Sequence, residues 1–196
     1  MSTALARGAN IGLTGSDPSL ARVLVGLGWA PGSGRDPFDL DASVLLVGPD
    51  GKVPNDAHFV FYNQLAAPEG SVTHSGDSTT GAGGGVGGDD DEQVEVDLRR
   101  VPEYVDRVVF AVSIYQAQAR RQTFGQVKGA YIRVVNLDTG VELARYDLSH
   151  DCVGETALVF GELYRHRSGW KFRAVGQGWA EGLEGIARDY GVDLAR

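Results

Sequence analysis

A β-strand is predicted at Val23-Leu24-Val25-Gly26-Leu27-Gly28-Trp29, because its bulky residues recur at every second position. The positions between them include two glycines, so one face of this strand is large and the other is slim. The same period recurs over Val94–Leu98, where the alternate acidic residues predict a polar face in water. Similar β-rich runs occur at Ser43–Val47, Phe59–Tyr62, Val108–Tyr115, Tyr131–Leu137, Leu158–Tyr164 and Trp170–Val175.

Many short strands separated by turn residues are typical of a sandwich or a barrel. Glycine supplies 28 of the 196 residues, as tight turns and bends require. Helix is predicted mainly at Trp179–Tyr190, with Gly191 as the residue that ends it, and more weakly at Gln116–Thr123. No linker divides the chain, so residues 1–196 are expected to form a single domain.

Composition excludes several functional classes. The formal charge of −8 makes nucleic acid an unsuitable partner, since duplex binding depends on neutralising phosphates. No apolar run reaches the roughly 18 residues of a membrane helix, and the first residues lack the pattern of a secretory signal. Cys152 is the single cysteine, which excludes an internal disulfide and favours a reducing compartment. A cytoplasmic protein without an integral membrane segment is therefore expected, and peripheral membrane association stays open.

The negative charge is concentrated in two windows. Asp36–Asp56 holds five acidic residues and one basic residue, and Asp77–Glu92 holds five acidic residues and no basic one. The rest of the chain carries a net charge of only +1. Carboxylates about 4 Å apart repel by roughly 4 kcal/mol at an effective dielectric of about 20. Two readings stay open at this point: solvated, flexible acidic loops, or loops that hold a hard cation such as Ca²⁺, which prefers oxygen ligands.

No familiar catalytic or ligand-binding motif is both complete and in a suitable sequence context. Gly83–Gly88 matches G-x-G-x-x-G, but it runs into acidic residues that would repel a pyrophosphate. Asp39–Ser43 resembles the start of an EF-hand loop, yet Val44 replaces the required glycine. The four histidines lack metal-protease spacing, and neither a G-x-S-x-G elbow nor a Walker loop is present. We therefore expect a protein that is not an enzyme.

Ordered stretches along nearly the full chain resemble the TerD family of tellurite-resistance and general-stress proteins. The stretches that carry the resemblance are Val25–Trp29, Phe38–Ser43, Phe61–Leu65, Gly76–Ser78, Gly88–Glu92, Phe124–Val127, Ile132–Asn136, Arg145–Leu148, Gly161–Arg165 and Trp170–Gly178.

The resemblance implies a mainly β fold, a β-sandwich of two antiparallel-rich sheets with a short C-terminal helix. It also implies Ca²⁺ bound by acidic loops at one edge, without a catalytic activity, in a protein that associates with other stress-resistance proteins. By motif, the residues implied to gather around the metal are Asp39, Asp41, Asn63, Asp77, Asp90, Asp91 and Glu92. These acidic residues come from the same two windows that charge counting isolates.

The chain departs from the family pattern in its glycine-rich tract. Ser78 stands where the family usually has Asn, Ala82 stands in place of Glu, and an interior Asp is missing near Gly88. Fewer carboxylates predict weaker binding, so two family-like sites are expected to reduce to one good site and one weakened site. The alternatives are a metal-independent interaction or scaffold module with a degenerate calcium site, and a hydrolase that uses a metal-activated water.

Overall fold

The structure, a computed structural model, describes residues 2–30, 37–75, 90–148, 152–167 and 169–194. These residues form two six-stranded sheets. The first, sheet A, has the strand order β1-β10-β9-β3-β7-β6. Its strands are β1 (Thr3–Ala4), β3 (Arg22–Gly28), β6 (Val72–His74), β7 (Glu92–Asp97), β9 (Tyr131–Asn136) and β10 (Glu142–Asp147).

The second sheet, sheet B, has the strand order β2-β12-β11-β8-β4-β5. Its strands are β2 (Asn10–Gly12), β4 (Leu40–Val47), β5 (Phe59–Val60), β8 (Arg107–Ile114), β11 (Ala157–His166) and β12 (Gly169–Trp179). The pair β1–β10 is parallel, and the other pairs of described strands are antiparallel. The predicted sandwich of antiparallel-rich sheets is confirmed.

The main core lies between the two sheets. The large face of β3, with Val23, Val25 and Leu27, packs there against residues of sheet B such as Val44 and Phe110. A second, smaller apolar cluster lies on the outer face of sheet B, beneath the C-terminal helix α2 (Gly182–Tyr190). Alternate residues of β4 therefore pack on opposite faces of sheet B: Leu46 lies in the main core and Leu45 in the smaller apolar cluster.

Two helix predictions need correction. The helix predicted from Trp179 begins at Gly182, because Trp179 is the last residue of β12, and its indole Nε1–H donates to Asp189 on α2 (2.8 Å). The helix predicted at Gln116–Thr123 shrinks to α1 (Ala117–Arg120), whose flanking residues Gln116 and Arg121 have positive φ angles of 50° and 54°. Gly191 does end α2 in a left-handed conformation, as predicted.

Several strand limits also differ from the predictions. The run predicted at Phe59–Tyr62 pairs as a strand only over Phe59–Val60. The short strands β1, β2 and β6 and the longer β10 were not predicted, because two or three residues give no measurable period and β10 mixes buried and charged residues irregularly. Two short 3-10 helices, Asp56–His58 and Phe124–Gln126, complete the regular structure of the described residues.

Candidate functional site

Parts of both acidic windows arrive at one end of the sandwich, which we call the acidic rim and define as Trp29, Phe38–Asp41 and Asp90–Glu92. Trp29 directly follows β3, Leu40 begins β4, and Glu92 begins β7. The backbone N–H of Trp29 donates to Asp91 Oδ2 (2.9 Å), and its indole Nε1–H donates to the carbonyl of Phe38 (3.3 Å). Trp29 thus connects the two windows through one residue.

The first window contributes Asp39 and Asp41 to the rim. Leu40 and Ala42 point into the inter-sheet core, so Asp41 between them projects from the outer face of sheet B, opposite Ser113 of β8. The carbonyl of Asp39 accepts the backbone N–H of Tyr115, which fixes the entry into β4 (2.8 Å). Both aspartates are half-buried.

The first window is nevertheless not a single loop. It runs through the whole of β4, whose last residue, Val47, pairs with the first residue of β8, Arg107. Asp50 and Asp56 follow that opposite end of the strand, so they lie away from Asp39 and Asp41. The interpretation that the acidity of this window belongs to one loop is therefore wrong for these two residues.

Asp90 lies on the outer face of sheet A and is held by four hydrogen bonds. Arg133 grips it with two of them, Nε to Oδ1 and Nη2 to Oδ2, both 2.8 Å long. Tyr131 Oη donates to Oδ1 (2.9 Å), and Gln93 Nε2 donates to Oδ2 (3.1 Å). The side chain of Asp90 is 0% exposed and that of Arg133 is 11% exposed, so this ion pair is shielded from water.

The slim face of β3 makes room for this cluster. Gly26 pairs with Gln93 on one side and Arg133 on the other, and Gly28 pairs with Tyr131. A Cβ atom on Gly26 would overlap the Asp90 carboxylate, and one on Gly28 would lie 2.5 Å from the Tyr131 ring. These glycines are required by close approach of polar side chains.

The contacts with Asp90 raise the pKa values of two of its hydrogen-bond donors, Arg133 and Tyr131. The hydrogen bond to Asp90 is the main cause that raises the pKa of Arg133 above its ordinary value. Burial, together with the Asp90 charge, raises the pKa of the Tyr131 phenol well above its ordinary value of 10.0. Arg145 also stacks on the Tyr131 ring, with its guanidinium carbon 3.7 Å from the centroid. The cluster therefore keeps Asp90 among protonated donors.

Glu92 points in the opposite direction. It pairs across the sheet with Leu27, whose side chain lies in the inter-sheet core, so Glu92 also faces the interior. Its Oε2 lies 3.1 Å from Nε2 of His74, and both side chains are 1% exposed. The histidine belongs to the edge strand β6, so this pair ties β6 to the rim.

Of the two remaining predicted ligands, the structure describes only Asn63. Asn63 is exposed, in the turn between β5 and β6. Asp77, with the whole tract 76–89, lies outside the described residues. Among the residues that the structure describes, no three side chains of His, Cys, Asp or Glu are grouped so as to hold a metal ion.

Sequence reasoning missed four residues that organise the rim: Trp29 as the connector, Arg133 and Tyr131 as the partners of Asp90, and His74 as the partner of Glu92. The slim face of β3 was the available signal. Two glycines in a central strand indicate that something approaches the backbone closely, although they do not tell which side chain does so.

The packed sheets and the acidic rim define a two-sheet β-sandwich protein with several acidic residues at one end. A solved structure with this fold comes from a Streptomyces coelicolor A3(2) homologue of the telluride resistance protein TerD. It matches with a TM-score of 0.66 and 27% identity, covering 86% of this chain and 96% of that chain. The family model of the TerD domain matches residues 1–190. The chain belongs to the TerD family.

Relatives in that family are similar over their full length. A tellurium resistance protein TerD of Serratia marcescens is 53% identical over 197 residues, covering 100% of both chains. General stress protein 16U of Bacillus subtilis (strain 168) is 48% identical, covering 99% of this chain and all of that protein. No helix within the described ranges is long and apolar enough to cross a membrane.

Proposed function

We propose that this protein is a calcium-binding, non-enzymatic stress protein of the cytoplasm that acts in tellurite resistance or a general stress response. The observation that carries the proposal is the meeting of two acidic windows at one rim, where Trp29 is hydrogen-bonded to Asp91 and to the residue before Asp39. The names of the relatives support the stress role.

The donor chemistry of the rim suits Ca²⁺ in part. Asp39 and Asp41 supply carboxylate oxygens at the start of β4 in sheet B, and Asp91 supplies them just before β7 in sheet A. Ca²⁺ accepts six to eight oxygen ligands in irregular geometry. Asn63 and Asp77 are the further predicted ligands. Asp90 and Glu92 fit less well, because Arg133 and His74 already pair with their carboxylates.

When bound, the ion would neutralise carboxylates of both windows and so order the two acidic segments relative to each other. That ordering is the proposed switch, because the rim would present a fixed surface to other stress-resistance proteins only when calcium is present. The residues of this chain supply the frame: Trp29 holds the two windows together, and β4 sets the spacing of Asp39 and Asp41.

Thermal melting tests the proposal. An ion that binds only the folded state, at 100 times its dissociation constant, adds about 2.7 kcal/mol of stability. For a chain of this size that corresponds to a rise in Tm of roughly 5–10 °C. We expect this rise with millimolar Ca²⁺ and its reversal by chelator; an unchanged Tm would contradict calcium binding.

A metal-independent interaction module is the second candidate. It is favoured by the observation that Asp90 and Glu92 have protein partners, and that the described residues hold no complete metal cluster. In this case partner capture with the purified, tagged protein would give the same bound proteins in calcium and in chelator. Under the calcium proposal, chelator releases them.

A further inference from the structure

We infer that Asp90 is a positioning residue and not an ion ligand, and that its pairing with Arg133 holds the second acidic window so that the carboxylate of Asp91 meets Trp29. This inference rests on the proposed calcium function, because it divides the acidic residues of the proposed site between two roles. It assigns to Arg133 a part in calcium affinity although an arginine cannot ligate a cation.

The hydrogen-bonding capacity of Asp90 carries the first step. An ionised carboxylate offers about four lone-pair positions. The two nitrogens of Arg133, the hydroxyl of Tyr131 and the amide of Gln93 occupy four of them. A calcium ion could reach Asp90 only by displacing the guanidinium, which would leave a buried cation next to the bound metal.

The direction of the side chain carries the second step. Asp90 lies over Gly26 on the outer face of sheet A, between the cross-strand neighbours Gln93 and Arg133. The next residue, Asp91, is bonded through its backbone N–H to the carbonyl of Leu27 (2.8 Å) and through its carboxylate to Trp29. Asp90 therefore fixes the chain one residue before the carboxylate that accepts the backbone N–H of Trp29.

Electrostatics adds a third step. Asp90, Asp91 and Glu92 are consecutive, and three neighbouring carboxylates would repel one another if all were uncompensated. Arg133 neutralises Asp90 within a shielded pair, which lowers the charge density beside Asp91 without removing its carboxylate. Nη1 of Arg133 also lies 3.4 Å from Oε2 of Glu142 on β10, so the Asp90–Arg133 pair is linked to a third strand.

The test compares five proteins: wild type, Asp90→Asn, Asp91→Asn, Arg133→Gln and the double variant Asp90→Asn/Arg133→Gln. Calcium affinity is measured by calorimetric titration, and Tm and amide exchange at Asp91 are measured in chelator. Arg22→Gln is the matched control, because Arg22 forms an exposed ion pair with Asp138 at the other end of β3.

We expect Asp91→Asn to weaken calcium binding by at least about tenfold, with a Tm in chelator close to that of wild type. We expect Arg133→Gln to lower the Tm in chelator by roughly 10 °C, since it leaves a buried carboxylate unpaired. The same variant should speed exchange at Asp91 and weaken calcium binding several-fold. Simple loss of a positive charge would strengthen cation binding, so the sign of this change separates positioning from bulk electrostatics.

The double variant should recover part of the lost Tm and part of the lost affinity, because two amides can bond to each other without a buried charge. Equal loss of calcium affinity in Asp90→Asn and Asp91→Asn, with an unchanged Tm in chelator for Asp90→Asn, would make Asp90 a ligand and overturn the inference. Should Arg133→Gln not fold, Arg133→Lys keeps the charge without the two-pronged grip and should show smaller changes of the same sign.

Failure of the calcium proposal is distinguishable from failure of this inference. If the wild-type protein binds no calcium, the proposed function is wrong. The Tm and the amide exchange at Asp91, both measured in chelator, still test whether the Asp90–Arg133 pair holds the second acidic window. An Arg133→Gln protein with the Tm and the Asp91 amide exchange of wild type would contradict the positioning role of the Asp90–Arg133 pair, whether or not calcium binds.

Discussion

Asp90 and Glu92 lie on opposite faces of sheet A although one residue separates them. Asp90 is covered by Arg133 on the outer face, whereas Glu92 meets His74 in the space between the sheets. The tract that looks like one acidic cluster in the sequence therefore divides into an outer anchor, an inner pair and Asp91 between them. The three consecutive residues therefore contact three different partners, which are Arg133, Trp29 and His74.

A Gly26→Ala variant tests the close approach of Asp90 to β3. The added Cβ would overlap the Asp90 carboxylate and push it away from Arg133. We expect the free energy of unfolding to fall by about 2–4 kcal/mol, because overpacking and a disrupted buried ion pair both contribute. Urea denaturation measures the change.

The matched control is Gly15→Ala, where a Cβ would meet nothing within 4 Å. We expect this variant to stay within about 0.5 kcal/mol of wild type. Equal stability of the two alanine variants would show that Asp90 does not depend on the slim face.

A Glu92→Gln variant tests the inner pair. Loss of the carboxylate beside buried His74 should lower the free energy of unfolding by about 2–4 kcal/mol in chelator, where no metal effect contributes. The double variant His74→Leu/Glu92→Leu should recover much of the loss, since neither polar group is left alone. A Glu92→Gln protein that is weakened only in the presence of calcium would instead identify Glu92 as a ligand.

A Trp29→Phe variant tests the connection between the windows. It retains most of the apolar side chain and the backbone N–H that bonds Asp91, but it removes the indole N–H that bonds Phe38. We expect a loss of about 1 kcal/mol and faster amide exchange in the segment that follows Phe38. Unchanged exchange there would mean that this hydrogen bond does not hold the first window.

The phenol of Tyr190 predicts a dependence of stability on alkaline pH. Burial between α2 and sheet B raises the pKa of Tyr190 above its ordinary value of 10.0. The folded state then keeps a proton that the unfolded state releases, so the stabilisation is complete below about pH 10 and is lost as pH rises through the folded pKa.

Denaturant unfolding between pH 8 and pH 11 measures this effect. A single proton limits the slope to about 1.4 kcal/mol per pH unit. Tyr190→Phe should be less sensitive to pH over this range than wild type. Identical pH profiles for the two proteins would contradict the assignment to Tyr190.

The strands could be predicted where the side-chain period was regular. Val23–Trp29 and Val94–Leu98 have bulky residues on one face, and both segments pack in the sandwich as expected. The helix at 116–123 was overestimated because propensity does not reveal the left-handed residues Gln116 and Arg121 that confine it to one turn. The edge strands were too short to show a period.

The sequence indicated which acidic segments approach each other, but not which way their carboxylates point. The resemblance and the charge count both selected Asp39, Asp41 and Asp90–Glu92, and the structure brings these residues to one end of the sandwich. Which way each carboxylate points depends on cross-strand neighbours such as Arg133 and His74, which are distant in sequence. Without pairing register, that information cannot be obtained from the chain alone.

Calorimetric titration of the metal-free protein with Ca²⁺, in parallel with Asp41→Asn, tests calcium binding at the rim most directly. We expect saturable binding by wild type, with one strong and one weaker site. In the variant we expect an affinity lower by about tenfold or more, because one charged ligand is lost. No heat of binding in wild type, or identical isotherms for the two proteins, would contradict a calcium site built on the first acidic window.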